Sequence, residues 1–350
     1  MYNRKSIRRH IQATLVALLA SATGNTLASN ELVFSGIYAF GTSLSDEGNA
    51  FIACGMQSVP PYDNLSSNLN IAPGDSPYAR GGHRFSNGST WVGALAKTLG
   101  AADSALPVRR NPVGTNYAQA GTTAISEGPL GPLTCRVSFA KQIADATARG
   151  GIPADALVTV EIGSNDVINA VVFFVAAITE GRLDISTANG FTKSTVLEPA
   201  ADLTALGINQ LIAGDEPPTL LWANVPDIGL TPAIAVLDAQ LQVFGFPEGL
   251  IIATATDFAG HYNESLQGGL QSAIDDGTIV KFDLFHILQD LVNAGSEELN
   301  VTDTCVTPNE YPFACMNPDD YLFWDGTHPT KAAHEFFAEK AIEALSLQDN

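Results

Sequence analysis

The chain has 350 residues, 45% of them hydrophobic and 15% charged, which supplies a substantial core and excludes global disorder. Its formal net charge of −20 at pH 7 speaks against nucleic acid and anionic membrane surfaces as partners and leaves neutral or cationic ligands open.

In chain order the first element is a leader. Arg4, Lys5, Arg8 and Arg9 precede an apolar run, "IQATLVALLA", which small residues follow. That is the layout of a secretory signal peptide, and the run is too short to span a bilayer. Residues 1–28 are expected to be removed by cleavage near 22–28, after "ASA" or "TLA", so that 29–350 form a single secreted domain, extracellular or periplasmic. The leader holds four cations and no carboxylate, so its loss moves the formal charge from −20 to −24.

"GIYAFG" (36–41) reads as a first strand. Its exit, Gly41-Thr42-Ser43, poses a choice: the serine caps a helix, or it presents a hydroxyl at the edge of a sheet. Residues 55–85, rich in Pro, Asn, Ser and Gly, read as surface loop. Amphipathic helices are expected over 90–100, 137–150 and 201–214, each ending in or just before a glycine. "ALVTVEIG" (156–163), "TLLWANVP" (219–226) and "GTIVKFDL" (277–284) are continuous apolar strands, as a parallel sheet covered on both faces requires. "VINAVVFFVAAI" (167–178) is too short for a membrane span and reads as a buried helix. Alternating strands and helices, with no linker or repeat, predict an α/β sheet packed on both faces.

Four cysteines, an even count in an exported chain, predict two disulfides. Of the three possible connectivities, Cys305 with Cys315 (across a short loop) and Cys54 with Cys135 is favoured. No C-x-x-C occurs, and neither a metal nor a cofactor is called for.

Ligands of open parallel sheets sit beyond the carboxyl ends of the strands. There the chain places Ser43 after the first strand and Gly163-Ser164-Asn165-Asp166 after the second. "GTNYAQAGTTA" carries Gly121 between them, and "YLFWDGTHPT" sets Asp325 three residues before His328. Those are the parts of an acyl-transfer site. A serine hydroxyl needs a base, histidine suits that task near neutrality, and the histidine needs a carboxylate to fix its tautomer. The tetrahedral intermediate needs donors, for which the N–H of Ser43 and Gly121 and the Asn165 amide are available.

"FGTSLSDEGN", "RFSNGSTWVGALA", "NYAQAG", "EIGSND" and "DGTHPT", in this order, resemble the conserved blocks of the GDSL, or SGNH, family of serine esterases and lipases. The nearest likeness is to its secreted lipase and lecithinase-like branch, from about Phe40 to His334. The resemblance implies a three-layer α/β/α sandwich with a flavodoxin-like parallel sheet. It also implies Ser43 as nucleophile, His328 as general base, Asp325 as its partner, and Ser43, Gly121 and Asn165 as the oxyanion hole. One position departs from the family pattern: Thr42 stands where Gly-Asp-Ser-Leu has its aspartate, a change expected to alter local hydrogen bonding and not the mechanism.

The implied function is hydrolysis of carboxylic esters, acyl or lipid, through an acyl-enzyme, on a small-molecule, lipid or glycan ester. Carbohydrate acetylesterase and acyltransferase chemistry would use the same residues. A catalytically idle binding protein that keeps the fold is a different class, and intact Ser43, Asn165, Asp325 and His328 argue against it. A second Asp-x-x-His, Asp283 and His286, lies among Leu284, Phe285, Ile287 and Leu288 and reads as a core or helix-start histidine. His83, His261 and His334 are expected at the surface, and Ser45 or Asp46 as a helix cap. The G-x-S-x-G of the α/β-hydrolase elbow, the P-loop and the dinucleotide fingerprint do not occur.

Overall fold

The computed structural model describes residues 32–55, 83–125, 135–295, 299–306 and 314–347. The leader expected over 1–28 and residues 56–82 of the loop expected over 55–85 lie outside them. Four strands, β1 (Ile37–Gly41), β2 (Leu157–Glu161), β3 (Thr219–Ala223) and β4 (Ile279–Phe282), form a parallel sheet in that order. Gly41 pairs with Glu161, Glu161 with Ala223 and Ala223 with Phe282, so the carboxyl ends finish level. Beyond β1, residues 115–119 run along its free edge. Ala39 donates to Thr115 (3.1 Å), Tyr117 to Ala39 (2.7 Å) and Gln119 to Gly41 (3.0 Å). A segment later in the chain thus flanks the first strand on one side and β2 on the other, which is the doubly wound, flavodoxin-like order.

The apolar strands divide their side chains between two cores with the period of two that a pleated sheet imposes. Phe40, Val158, Val160, Leu220, Trp222 and Ile279 enter one core. Ile37, Ala39, Leu157, Leu221, Val280 and Phe282 enter the other. The helices are α1 (Asn49–Cys54), α2 (Trp91–Thr98), α3 (Phe139–Ala148), α4 (Ser164–Thr179), α5 (Ile185–Thr192), α6 (Glu198–Leu211), α7 (Pro232–Val243), α8 (Leu250–Asp275), α9 (Leu284–Ala294) and α10 (Lys331–Ser346). α3 to α8 cover the first core; α2, α9 and α10 cover the second. The result is a three-layer sandwich.

The four expected strands and the helices over 90–100, 137–150 and 201–214 are all present, and 167–178 lies inside α4. The apolar residues of α4 are mostly core: Val167, Ala170, Val171, Phe174, Ala177 and Ile178 are buried. Among the described residues no helix is long and apolar enough to cross a membrane. The 26-residue α8 was not anticipated, because Gly260, Gly268, Gly269 and its Thr and Asn residues weaken the local signal. Burial of Phe258, Tyr262, Leu266 and Leu270 holds it. A short parallel pair, β5 (Asn300–Thr304) and β6 (Tyr321–Phe323), leads into the last loop of the site. Cys305 joins Cys315 just after β5 (Cα–Cα 4.9 Å), and Cys54 joins the end of α1 to Cys135 (Cα–Cα 5.4 Å).

Candidate active site

β1 leaves the sheet through Gly41, whose backbone Gln142 of α3 clasps from both sides. The Gly41 N–H donates to Gln142 Oε1 (2.9 Å), and Gln142 Nε2 donates to the Gly41 carbonyl (2.9 Å). Ser43 follows, half-buried. It does not cap a helix. Asp46 does that work, its carboxylate accepting the N–H groups of Gly48 (2.7 Å), Asn49 (2.6 Å) and Ala50 (3.0 Å) at the start of α1. Ser45 is engaged elsewhere, accepting the indole N–H of Trp91 (3.1 Å).

Asp325 and His328 share one turn after β6. Asp325 Oδ1 accepts the backbone N–H of Thr327 (2.9 Å) and of His328 (2.7 Å), which bends the loop back on itself. Neighbours pin the loop: Ala233 at the start of α7 donates to the Gly326 carbonyl (2.9 Å), and Ser86 Oγ to that of Pro329 (2.9 Å). The imidazole is thereby aimed. His328 Nδ1 stands 2.7 Å from Asp325 Oδ2, and Nε2 stands 2.8 Å from Ser43 Oγ. Both Asp325 and His328 are buried, with the Phe85 ring 5.4 Å from the imidazole.

Gly121 occupies the third position of a turn in which Thr122 N–H returns to the Gln119 carbonyl (3.2 Å); its φ of 79° is the conformation glycine tolerates best. Asn165, in the first turn of α4, donates one amide hydrogen to the Thr122 carbonyl (2.9 Å) and keeps a second. Gly163 precedes that helix at φ 122°, where an added Cβ would lie 2.2 Å from the Tyr262 ring. The N–H groups of Ser43 and Gly121 donate to no described residue. So Ser43, His328 and Asp325 form one hydrogen-bonded chain, and Asn165 is tied to the residue after Gly121.

A family model described as GDSL-like lipase/acylhydrolase matches residues 37–341. The chain belongs to that family. It is a carboxylic ester hydrolase, and among its relatives are two GDSL esterase/lipases of Arabidopsis thaliana. One is 22% identical over 97% of this chain and 94% of the relative, the other 26% identical over 89% and 88%. The crystal structure of phospholipase A1 from Streptomyces albidoflavus NA297 aligns with 90% of this chain and 100% of its own, at 14% identity and a TM-score of 0.42.

The candidate site of this GDSL hydrolase holds more carboxylates than the sequence motifs assign. Asp46 also accepts the Ala120 N–H (2.9 Å); burial pushes its carboxyl up to about 6 against the pull of its four backbone donors. Asp166 accepts the Ala124 N–H (3.2 Å), and burial pushes it up to about 7 although that bond and the Arg136 charge oppose the shift. Glu161 at the end of β2 is also pushed up to about 7 by burial, against hydrogen bonds from Thr42 and Ser164 and the charge of His328. The signal that marked Glu161 was available: a lone carboxylate closing an apolar strand covered on both faces must find partners inside.

His334 is not at the surface: it is buried between α2 and α10, and its Nδ1 accepts the Trp91 N–H (3.2 Å) at the start of α2. Burial draws it down to about 3, with the His328 charge adding to the shift, so it is neutral. A histidine on the inward face of α10 replaces a side-chain cap, which its position in the sequence did not disclose. His261 is half-buried and pairs with Glu198, and His83 is half-buried and stacks on Phe51 (3.7 Å). His286 starts α9, exposed, with Nδ1 2.9 Å from Asp283 Oδ2.

Proposed function

We propose that this chain is a secreted serine esterase acting on acyl or lipid esters through an acyl-enzyme intermediate. The observation that carries the reading is the continuous chain from Ser43 Oγ through His328 to Asp325, at 2.8 Å and 2.7 Å. Ser43 Oγ attacks the ester carbonyl as His328 Nε2 takes its proton; Asp325 holds the opposite ring nitrogen and stabilises the imidazolium. The oxyanion forms among the N–H of Ser43, the N–H of Gly121 and the second amide hydrogen of Asn165. Collapse of the tetrahedral intermediate passes the proton from His328 to the departing alcohol. Water then attacks the Ser43 ester, His328 takes its proton and returns it to Ser43, and the acid leaves.

The esterase/lipase names of the relatives favour acyl esters. Secretion is supported by the leader over 1–28 and by the two disulfides, which persist in oxidising compartments. The test is hydrolysis of p-nitrophenyl esters from acetyl to palmitoyl by the mature protein and by Ser43→Ala. Turnover lost with Ser43 supports the reading, and the chain-length profile then names the substrate class. Equal activity in both proteins overturns it.

A further inference from the structure

Glu161 lies wholly buried beside Gly41 in the register of the sheet. One carboxylate oxygen accepts the Thr42 hydroxyl at 2.6 Å and the Thr42 N–H at 3.2 Å. The other accepts the Ser164 hydroxyl at 3.0 Å. Thr42 is the residue before Ser43, and Ser164 is the residue before Asn165. One carboxylate therefore grips two walls of the site, each one peptide bond from a residue to which chemistry is assigned. A strand-end glutamate with only a folding role would serve as well with its donors anywhere on the surrounding loops. Among the described residues its side-chain donors are these two.

We propose that Glu161 is a positioning residue: through Thr42 and Ser164 it sets the distance between the nucleophile's loop and the helix that carries Asn165. Thr42, where the Gly-Asp-Ser-Leu pattern has its aspartate, is the hydroxyl that reaches this carboxylate. This rests on the reading of Ser43 as nucleophile and Asn165 as oxyanion donor. With Glu161 ionised the two hydroxyls donate and both carboxylate oxygens accept, and no proton moves during turnover. Misplacement of either wall degrades the alignment at the transition state more than it weakens binding of the ester.

The experiment measures kcat and KM on a short-chain p-nitrophenyl ester for the wild type, Thr42→Val, Thr42→Ser, Glu161→Gln, the Thr42→Val/Glu161→Gln double variant and Ser43→Ala. Thermal unfolding of each protein verifies the fold. The valine is isosteric and lacks only the hydroxyl; the glutamine keeps the shape and loses the second pair of acceptors. Each is expected to lower kcat by about tenfold or more with KM within about twofold, and the double variant to be no slower than the slower single, because the pair acts as a unit. Thr42→Ser, which restores the hydroxyl, is expected to recover to within about threefold of wild type. Kcat within about twofold of wild type in both folded single variants overturns the proposal, as does a loss in KM alone or a serine variant as slow as the valine one. Ser43→Ala separates the two failures. An active alanine variant sinks the nucleophile assignment, whereas an inactive one beside fully active Thr42 and Glu161 variants sinks only the positioning role.

Discussion

Asp325 holds His328 from two directions at once. Oδ2 meets the ring Nδ1 at 2.7 Å while Oδ1 accepts the same residue's backbone N–H at 2.7 Å. The carboxylate thus sets both the path of the loop and the orientation of the ring it carries, and the two duties can be separated by mutation.

Asp325→Asn retains an oxygen for the backbone N–H groups of Thr327 and His328 but turns an amide donor toward His328 Nδ1. The imidazole is then held in the tautomer that cannot accept the Ser43 proton. The expected result is a fall in kcat of ~10³–10⁴ with little change in melting temperature, read from steady-state kinetics beside thermal unfolding. Full activity in a folded variant would show that Asp325 only shapes the turn.

Asn165→Ala removes the bond to the Thr122 carbonyl and the second amide hydrogen together. Loss of one oxyanion donor costs ~10²–10³ in kcat, with KM changing far less. A variant that changes KM alone would place Asn165 in ground-state binding.

Stability depends on pH through groups buried around the site. Asp46, Glu161 and Asp166 ionise at 3.8, 4.5 and 3.8 when unperturbed, and burial raises them to about 6, about 7 and about 7 in the folded protein. Between those limits the folded state binds more protons than the unfolded chain, so their contribution is present at low pH and is lost as pH rises through the folded values. His334, lowered from 6.5 to about 3, works in the opposite sense, since the unfolded chain takes up a proton that the folded one refuses. His83, lowered by burial and by the Arg110 and Arg84 charges, works in the same sense as His334, so three groups oppose two. The melting temperature is therefore expected to be higher near pH ~5.5 than near pH ~8, and Asp46→Asn to flatten the difference. A melting temperature that rises steadily over that interval would contradict this balance.

The two disulfides close loops of very different length, with sequence separations of 81 for Cys54–Cys135 and 10 for Cys305–Cys315. Chain-entropy arithmetic assigns about 4–5 kcal/mol to the first and about 3 kcal/mol to the second. Paired serine substitutions are expected to lower stability more at Cys54/Cys135 than at Cys305/Cys315, measured by denaturant unfolding. Equal losses would mean that the crosslinks act on the native state more than on the unfolded one.

The sheet was legible because its strands are buried on both faces and so spell unbroken apolar runs. That Ser43, Asp325 and His328 would come together was legible because the residues around them, Gly41, Gly326 and Pro329, are turn formers beside reactive groups. What stayed hidden was set by packing. α8 carries glycines that propensity counts against it, and its helix exists because Phe258, Tyr262 and Leu266 have a core to enter. His334 differs from a surface histidine only in the face of α10 on which it falls. Gln142 reads as an ordinary polar residue of an amphipathic helix until Gly41 is seen between its two amide ends.

The bond between Ser43 and His328 spans 285 residues of sequence. On the proposed roles, synthesis delivers the nucleophile well before its base. A chain interrupted at any point before β6 carries the serine with nothing to take its proton. On that reading hydrolytic activity waits for the loop after β6, and the producing cell meets no working esterase in chains that stop short of it.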